Sequence, residues 1–349
     1  MRRRFLLAAV PCLGLARNAW ALPPAQLAFP RDHGAHPQFR TEWWYVTGQA
    51  SAGERAFGFQ ITFFRSRVAD TQGMRSRFAA KQLVFAHAAV TDLQGRKLWH
   101  DQRIAREGFD VATAAVGDTR LGLRDWTLSR GAQGYAARIL ASDFALDLQC
   151  TPTQPVLLQG AQGLSRKGPQ PEQASYYYSQ PQLAVQGSIG LKDSRLQVKG
   201  RAWLDHEWSQ ELLHPEAVGW DWIGMNLDDG GALTAFRLRR ADGSALWSGG
   251  SFRSAQGKLQ ILGPKDVAFT PLRRWRSALS QTDYPVEWSV RTAQGSFTVK
   301  ALLDNQELDS RASTGAIYWE GLSELLNEQG ARVGSGYLEM TGYAQRLRL

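Results

Sequence analysis

A chain of 349 residues with 43% hydrophobic and 21% charged residues is long enough for two domains with real cores, and wholesale disorder is excluded. Lys and Arg (41) outnumber Asp and Glu (32), a formal charge of +9. Beyond the N-terminus the basic residues form only short clusters such as Arg273-Arg274-Trp275-Arg276, which argues against nucleic acid and allows at most peripheral membrane contact.

The N-terminus reads as an export signal over residues 1–21. Arg2, Arg3 and Arg4 form its charged region, Phe5 to Leu15 its apolar one, and Ala19-Trp20-Ala21 fits small-x-small cleavage before Leu22. Arg2-Arg3-Arg4-Phe5-Leu6 also fits a twin-arginine pattern, so both Tat and Sec export stay open, and the expected location is the periplasm or the medium. Cleavage removes four arginines, leaving 37 basic against 32 acidic residues, a net +5. Cys150 is then the only cysteine, so no internal disulfide is expected.

From there the dominant period is two. Phe57, Phe59, Ile61 and Phe63 alternate with Gly58, Gln60 and Thr62, and Leu183, Val185, Gly187 and Ile189 behave alike. Turn signals fall at Asp228-Asp229-Gly230-Gly231, Ala241-Asp242-Gly243 and Gln294-Gly295. Gln149 to Gln173 reads as a long loop, either a flap over a barrel mouth or a disordered connector, and Gly321 to Gln329 can form a short helix. The class is all-β, with antiparallel barrels or sandwiches.

A faint repeat divides the mature chain. Glu42-Trp43-Trp44-Tyr45 opens the first half and Trp220-Asp221-Trp222-Ile223 the second; the closing strands align on Gly200 and Gly336. Two domains, 22–214 and 215–349, follow, joined near Leu213–Val218. The repeat fails at one place, where Asp205-His206-Glu207 of the first half faces Thr341-Gly342-Tyr343 of the second. A strand needed only for folding would not call for charge in one copy alone, so Asp205, His206 and Glu207 are candidate catalytic residues.

Strand parity sorts that segment. Leu204, His206 and Trp208 share one face; Trp203, Asp205 and Glu207 share the other and can meet the second domain across an interface. A pocket holding all three ionisable groups would require a bulge. His206 also reads as a hydrogen-bonded core histidine, and the two acids as partners of Lys199 or Arg201. Asp221, between Trp220 and Trp222, is a further candidate, although packing alone accounts for the indoles. Glu42, Trp44, Tyr45 and Tyr177 join Trp208, Trp220 and Trp222 as expected ligand contacts, around a cavity lined by Trp208, His206 and one or both of Trp220 and Trp222. A His-Glu-x-x-His helix, paired Cys-x-x-Cys, Walker loop and Gly-x-Ser-x-Gly elbow are all missing from the sequence, and adjacent strand residues diverge too far to share one ion. Neither cofactor nor metal is expected.

Arg40-Thr41-Glu42-Trp43-Trp44-Tyr45-Val46-Thr47-Gly48, Trp203-Leu204-Asp205-His206-Glu207-Trp208, Gly219-Trp220-Asp221-Trp222 and Tyr318-Trp319-Glu320-Gly321 resemble the motifs of the AttH-like family, which is related to the bacterial carotenoid 1,2-hydratases. The resemblance spans nearly the whole mature chain and implies two lipocalin-like β-barrels in tandem. It also implies an elongated apolar ligand, lipid or isoprenoid, with hydratase or hydrolase activity, or else a non-enzymatic carrier or accessory protein of an ABC transporter. His206 and Trp208 match the His-x-Trp of the hydratase set. Asp228 is a candidate for its aspartate, while Asn226 departs from its tyrosine.

Overall fold

The structure, a computed structural model, describes residues 21–347 apart from Ala25 and Asp193. The charged and apolar parts of the export signal lie outside the described residues.

Alternating apolar residues pair into two antiparallel sheets. The first opens with β1 (Thr41–Ala52), β2 (Arg55–Arg67), β3 (Gln82–Asp92) and β4 (Lys97–Arg106). Short strands follow: β5 (Ala112–Ala114), β6 (Arg120–Leu123), β7 (Trp126–Gly131), β8 (Gly134–Leu140) and β9 (Phe144–Thr151). It ends with β10 (Leu157–Leu158), β11 (Leu164–Arg166) and the long hairpin β12 (Ala174–Leu191) and β13 (Ser194–Glu211). The second sheet holds β14 (Gly219–Leu227), β15 (Ala232–Arg239), β16 (Ala245–Arg253), β17 (Leu259–Leu262) and β18 (Ala268–Arg276). It continues with β19 (Asp283–Thr292), β20 (Gly295–Ala301), β21 (Glu307–Ser310), β22 (Ala316–Leu326) and β23 (Arg332–Met340).

The repeat has a topological counterpart. The first sheet runs β4-β3-β2-β1-β13-β12-β9-β8-β7-β6-β5 and the second β17-β16-β15-β14-β23-β22-β20-β19-β18. In both, the opening strand of the half pairs with its closing strand, β1 with β13 and β14 with β23. Gly200 and Gly336 are equivalent for a physical reason. A Cβ on Gly200 would stand 1.9 Å from the carbonyl oxygen of Gln49, and one on Gly336 1.9 Å from that of Gly224. In the first sheet β3 and β4 pack against β5 and β6, which nearly closes it into a barrel. The architecture is all-β, two lipocalin-like barrels in tandem.

Each sheet encloses its own core, one around Trp44, Phe59, Ile61 and Leu204, the other around Ile223, Trp288, Trp319 and Leu338. A third cluster, with Tyr45, Trp203, Trp222, Phe236 and Tyr337, lies between them. Strand β2 is therefore buried on both faces. Phe57, Phe59, Ile61 and Phe63 fill the barrel, while a methyl group on Gly58 would collide with Tyr337 and Leu322 of the second sheet.

Two expectations need correction. Gly321 to Gln329 is not a helix: residues 321–326 belong to β22, paired with β23 and β20, and a turn follows. Its leucines satisfy a buried ladder, and tertiary pairing overrides the weak local preference. Residues 149–173 are not a loop throughout, since β10 and β11 pair with β12. The segment packs Val156, Leu158 and Leu164 against the first core, while Gln159 donates to Thr234 and Gln154 to the Gly230 carbonyl, which ties it to the second sheet as well.

Candidate active site between the two sheets

The period of two decides what each side chain of β13 can reach. Its register on β1 sets His206 opposite Trp44, Asp205 opposite Tyr45 and Glu207 opposite Trp43. His206, Trp208 and Trp44 turn into the first barrel, and Asp205 and Glu207 turn outwards to the second sheet. A cavity of about 290 Å³ lies there. The first sheet lines it with Tyr45, Tyr177, Asp205 and Glu207, and the second with Trp220, Trp222, Phe236, Tyr318, Glu320 and Glu339.

The expected lining is thus corrected. Trp220 and Trp222 border the cavity, but His206, Trp208 and Trp44 do not, because they leave the strands from the opposite face. Asp221 also points away, into the second barrel, where Arg237 and Arg239 pair with it and Tyr343 donates to it. Asp228 sits in a surface turn beside Arg201. Asn226 spends its side chain on the backbone of Gln182 and Ala202. Glu42 contributes to the wall, yet its carboxylate is turned inwards to Arg65, His36 and His206.

Four buried carboxyl groups meet at the cavity. Asp205 accepts from Tyr177 at 2.6 Å, Ser179 at 2.5 Å and the Trp203 indole at 2.6 Å. Burial still pushes its pKa up to about 7, against the pull of those three donors. Glu320 and Glu339 are directly opposed across the β22–β23 ladder. Burial raises Glu339 to about 8, with the charges of Asp205 and Glu207 adding to the shift, and raises Glu320 well above the carboxylate range. Glu339 accepts from the Trp220 indole at 3.1 Å, whereas Glu320 Oε1 and the Tyr45 hydroxyl, which interact with each other in the buried site, make no hydrogen bond of good geometry among the described residues. Two like charges held across a ladder in an apolar site cannot both ionise near neutrality.

The fourth acid, Glu207, pairs with Lys167 at 3.0 Å, and that ammonium also lies 4.6 Å from the Tyr177 ring and 4.3 Å from Phe236. Lys167, Glu320 and Glu339 were absent from the candidates drawn from sequence. Lys167 hid in a segment without period. Glu320 lay within the Tyr318-Trp319-Glu320-Gly321 motif and Glu339 three residues beyond Gly336, and only the assembled sheets show that their faces are shared.

A second polar cluster occupies the other face of β13, inside the first barrel. His36 Nδ1 lies 2.7 Å and His206 Nε2 3.0 Å from Glu42 Oε1, and Arg65 Nε donates to Glu42 Oε2 at 2.8 Å. The three ligand-type atoms of His36, Glu42 and His206 stand within 4.8 Å of one another.

Fold and cavity together define a tandem lipocalin-like β-protein whose buried acids converge between its barrels. The AttH-like family profile matches residues 20–343, and the chain belongs to that family. A crystal structure of a protein from Nitrosomonas europaea assigned as AttH is 49% identical, with a TM-score of 0.86 over 93% of this chain and 99% of that one. Kievitone hydratase from Nectria haematococca shares the fold at 13% identity, with a TM-score of 0.70 over 95% of each chain. CghA matches at 13% identity and a TM-score of 0.52, covering 93% of this chain and 94% of its own. The search of curated proteins found no match.

Proposed function

We propose that this chain binds an elongated apolar molecule, lipid or isoprenoid, between its barrels and performs cofactor-free acid–base chemistry on it, of which alkene hydration is the simplest form. The observation that carries the reading is the opposed Glu320–Glu339 pair on a wall of indole and phenyl rings, with Asp205 facing it from the other sheet. A protonated carboxyl donates its proton to one alkene carbon. Water adds to the other carbon and gives up a proton to a second carboxylate, so the alkene gains one water; the donor is left ionised and the acceptor protonated, and a proton passing back from acceptor to donor through water resets the pair. Glu339, protonated below about pH 8, suits the donor, and Asp205, ionised above about pH 7, suits the acceptor. The faces of Trp220 and Trp222 can stabilise the intervening cation. A hydratase of the same fold makes the assignment economical, although fold alone does not carry chemistry.

The test is incubation of the mature protein with terminally unsaturated isoprenoids in ¹⁸O-labelled water, with mass spectrometry of the products. Label incorporation should follow a bell-shaped pH profile with its maximum between about pH 7 and 8. Glu339→Gln should bind the isoprenoid, seen as tryptophan quenching, while losing roughly two to four orders of magnitude in rate. Full turnover in both Glu339→Gln and Asp205→Asn would overturn the acid–base reading and leave a carrier, such as an accessory protein that passes lipid to an ABC transporter. A hydrolytic variant is favoured by one contact: Ser313 Oγ lies 2.8 Å from His87 Nε2, and both border the same cavity. The N-terminal sequence supports action in the periplasm or outside the cell.

A further inference from the structure

We propose that His36, Glu42 and His206 form a divalent transition-metal site of two imidazoles and one carboxylate inside the first barrel. The proposal stands apart from the cavity, because Glu42 and His206 leave β1 and β13 from the opposite face and His36 comes from the segment before β1.

The geometry is that of ligands gathered around a point. Glu42 Oε1 is 2.7 Å from His36 Nδ1 and 3.0 Å from His206 Nε2, and all three atoms lie within 4.8 Å of one another. Ligand atoms about 2.0–2.2 Å from a tetrahedral ion stand roughly 3.3–3.5 Å apart, so binding needs the Glu42 oxygen to draw back from the two nitrogens by about 0.3–0.8 Å, and the imidazoles to close by little more than an ångström at most. The far atom of each ligand already has an outer partner. His36 Nε2 faces Asp32 Oδ1 at 3.3 Å, His206 Nδ1 faces the Tyr178 hydroxyl at 3.3 Å, and Glu42 Oε2 accepts from Arg65 at 2.8 Å. Such carboxylate–imidazole and hydroxyl–imidazole contacts are what orient metal ligands and fix their tautomers. Asp32 is in turn gripped by Arg31 at 2.7 and 2.8 Å.

Indoles hold both rings in plane. Trp208 stacks on His36 at 3.8 Å and 8°, and Trp44 on His206 at 4.4 Å and 21°. His206 and Glu42 have no exposed side-chain surface, whereas His36 retains 13%, which leaves the route by which an ion could enter. Two nitrogens and one oxygen suit zinc, cobalt, nickel or iron(II) better than calcium or magnesium. A hydrogen-bonded network without an ion is the competing arrangement. In it an imidazolium at His36 donates to Glu42 and Asp32 at once, and metal titration separates that arrangement from a bound ion.

The experiment uses the mature protein, stripped with chelator and titrated with Zn²⁺ by calorimetry and with Co²⁺ by visible absorption. One ion per chain is expected, with a cobalt spectrum that Zn²⁺ displaces and a melting temperature that rises with Zn²⁺. His36→Gln should weaken binding at least 100-fold, and Asp32→Asn roughly 10- to 100-fold, as loss of an outer partner does. Both positions precede β1 and lie outside the sheet, so near-UV circular dichroism can verify the fold even where His206→Gln does not fold. Absence of stoichiometric Zn²⁺ and Co²⁺ uptake by the unmodified protein overturns the proposal, as does uptake that His36→Gln leaves unchanged.

Discussion

Replacing Glu339 by Gln should change the pH dependence of stability more than stability itself. The amide keeps an oxygen for the Trp220 indole, which donates to Glu339 at 3.1 Å, and adds almost no volume. A folded-state pKa of about 8 against an ordinary 4.5 means that the native chain holds this proton more tightly than the unfolded one. The stabilisation is therefore complete below pH 4.5 and is lost as pH rises through about 8. Between pH 5 and 9 the linkage relation gives a loss on the order of 4 kcal/mol from this group. Asp205 and Glu320 are shifted in the same direction and add their own decline, so the informative quantity is the difference between variant and unmodified protein. Guanidinium unfolding followed by tryptophan fluorescence, from pH 5 to 9, should show Glu339→Gln near parity at pH 5 and more stable by several kcal/mol at pH 9. Removing the Glu339 charge also relieves Glu320, which increases the gain at high pH. Parallel curves for the two proteins would refute the claim that this carboxyl is protonated in the folded state near neutrality.

Two further substitutions test the frame around the cavity. Lys167→Met should cost about 3–5 kcal/mol in the same unfolding assay, because it leaves Glu207 buried without its partner at 3.0 Å, and adding Glu207→Gln should recover most of the loss; a fully stable Lys167→Met would show that the pair is solvated. Gly200→Ala and Gly336→Ala should each destabilise by roughly 1–3 kcal/mol or more, since the new methyl meets a backbone carbonyl at 1.9 Å, whereas Gly73→Ala, with nothing within 4 Å, should change the melting temperature little.

Much of the fold was legible because the chain alternates so regularly. Phe57, Phe59, Ile61 and Phe63 announce a strand with one face in a core, and the match of Gly200 with Gly336 reports a backbone contact that only glycine allows in each sheet. Parity on β13 also separates His206 from Asp205 and Glu207, as the register on β1 confirms. The segment after Gly321 misled because Leu322, Leu325 and Leu326 mimic a helical spacing while their burial comes from neighbouring strands. The cavity itself was not legible. Alternation says that a strand has two faces but not which outer face another sheet will cover, so Trp208 and Trp222 seemed to share a pocket when they lie on opposite sides of one wall.

The failed repeat makes more sense once both sheets are in place. Sequence alone showed acids at Asp205 and Glu207 and none in the aligned residues Thr341-Gly342-Tyr343, as if one half were functional and the other inert. In the structure Glu339 occupies the position that Trp203 holds in the first half, three residues beyond the shared glycine, and Glu320 lies beside it on β22. Each half therefore supplies acids from the outward face of its closing strands, displaced along the ladder so that they meet rather than superpose. The raised pKa of Asp205 and Glu339 follows from that meeting, because burial by the opposite sheet removes the water that would otherwise hold both groups ionised. A carboxyl that is ordinary on either sheet alone holds its proton towards neutrality only where the two sheets close on each other. The cavity and its four acids thus belong to neither sheet alone.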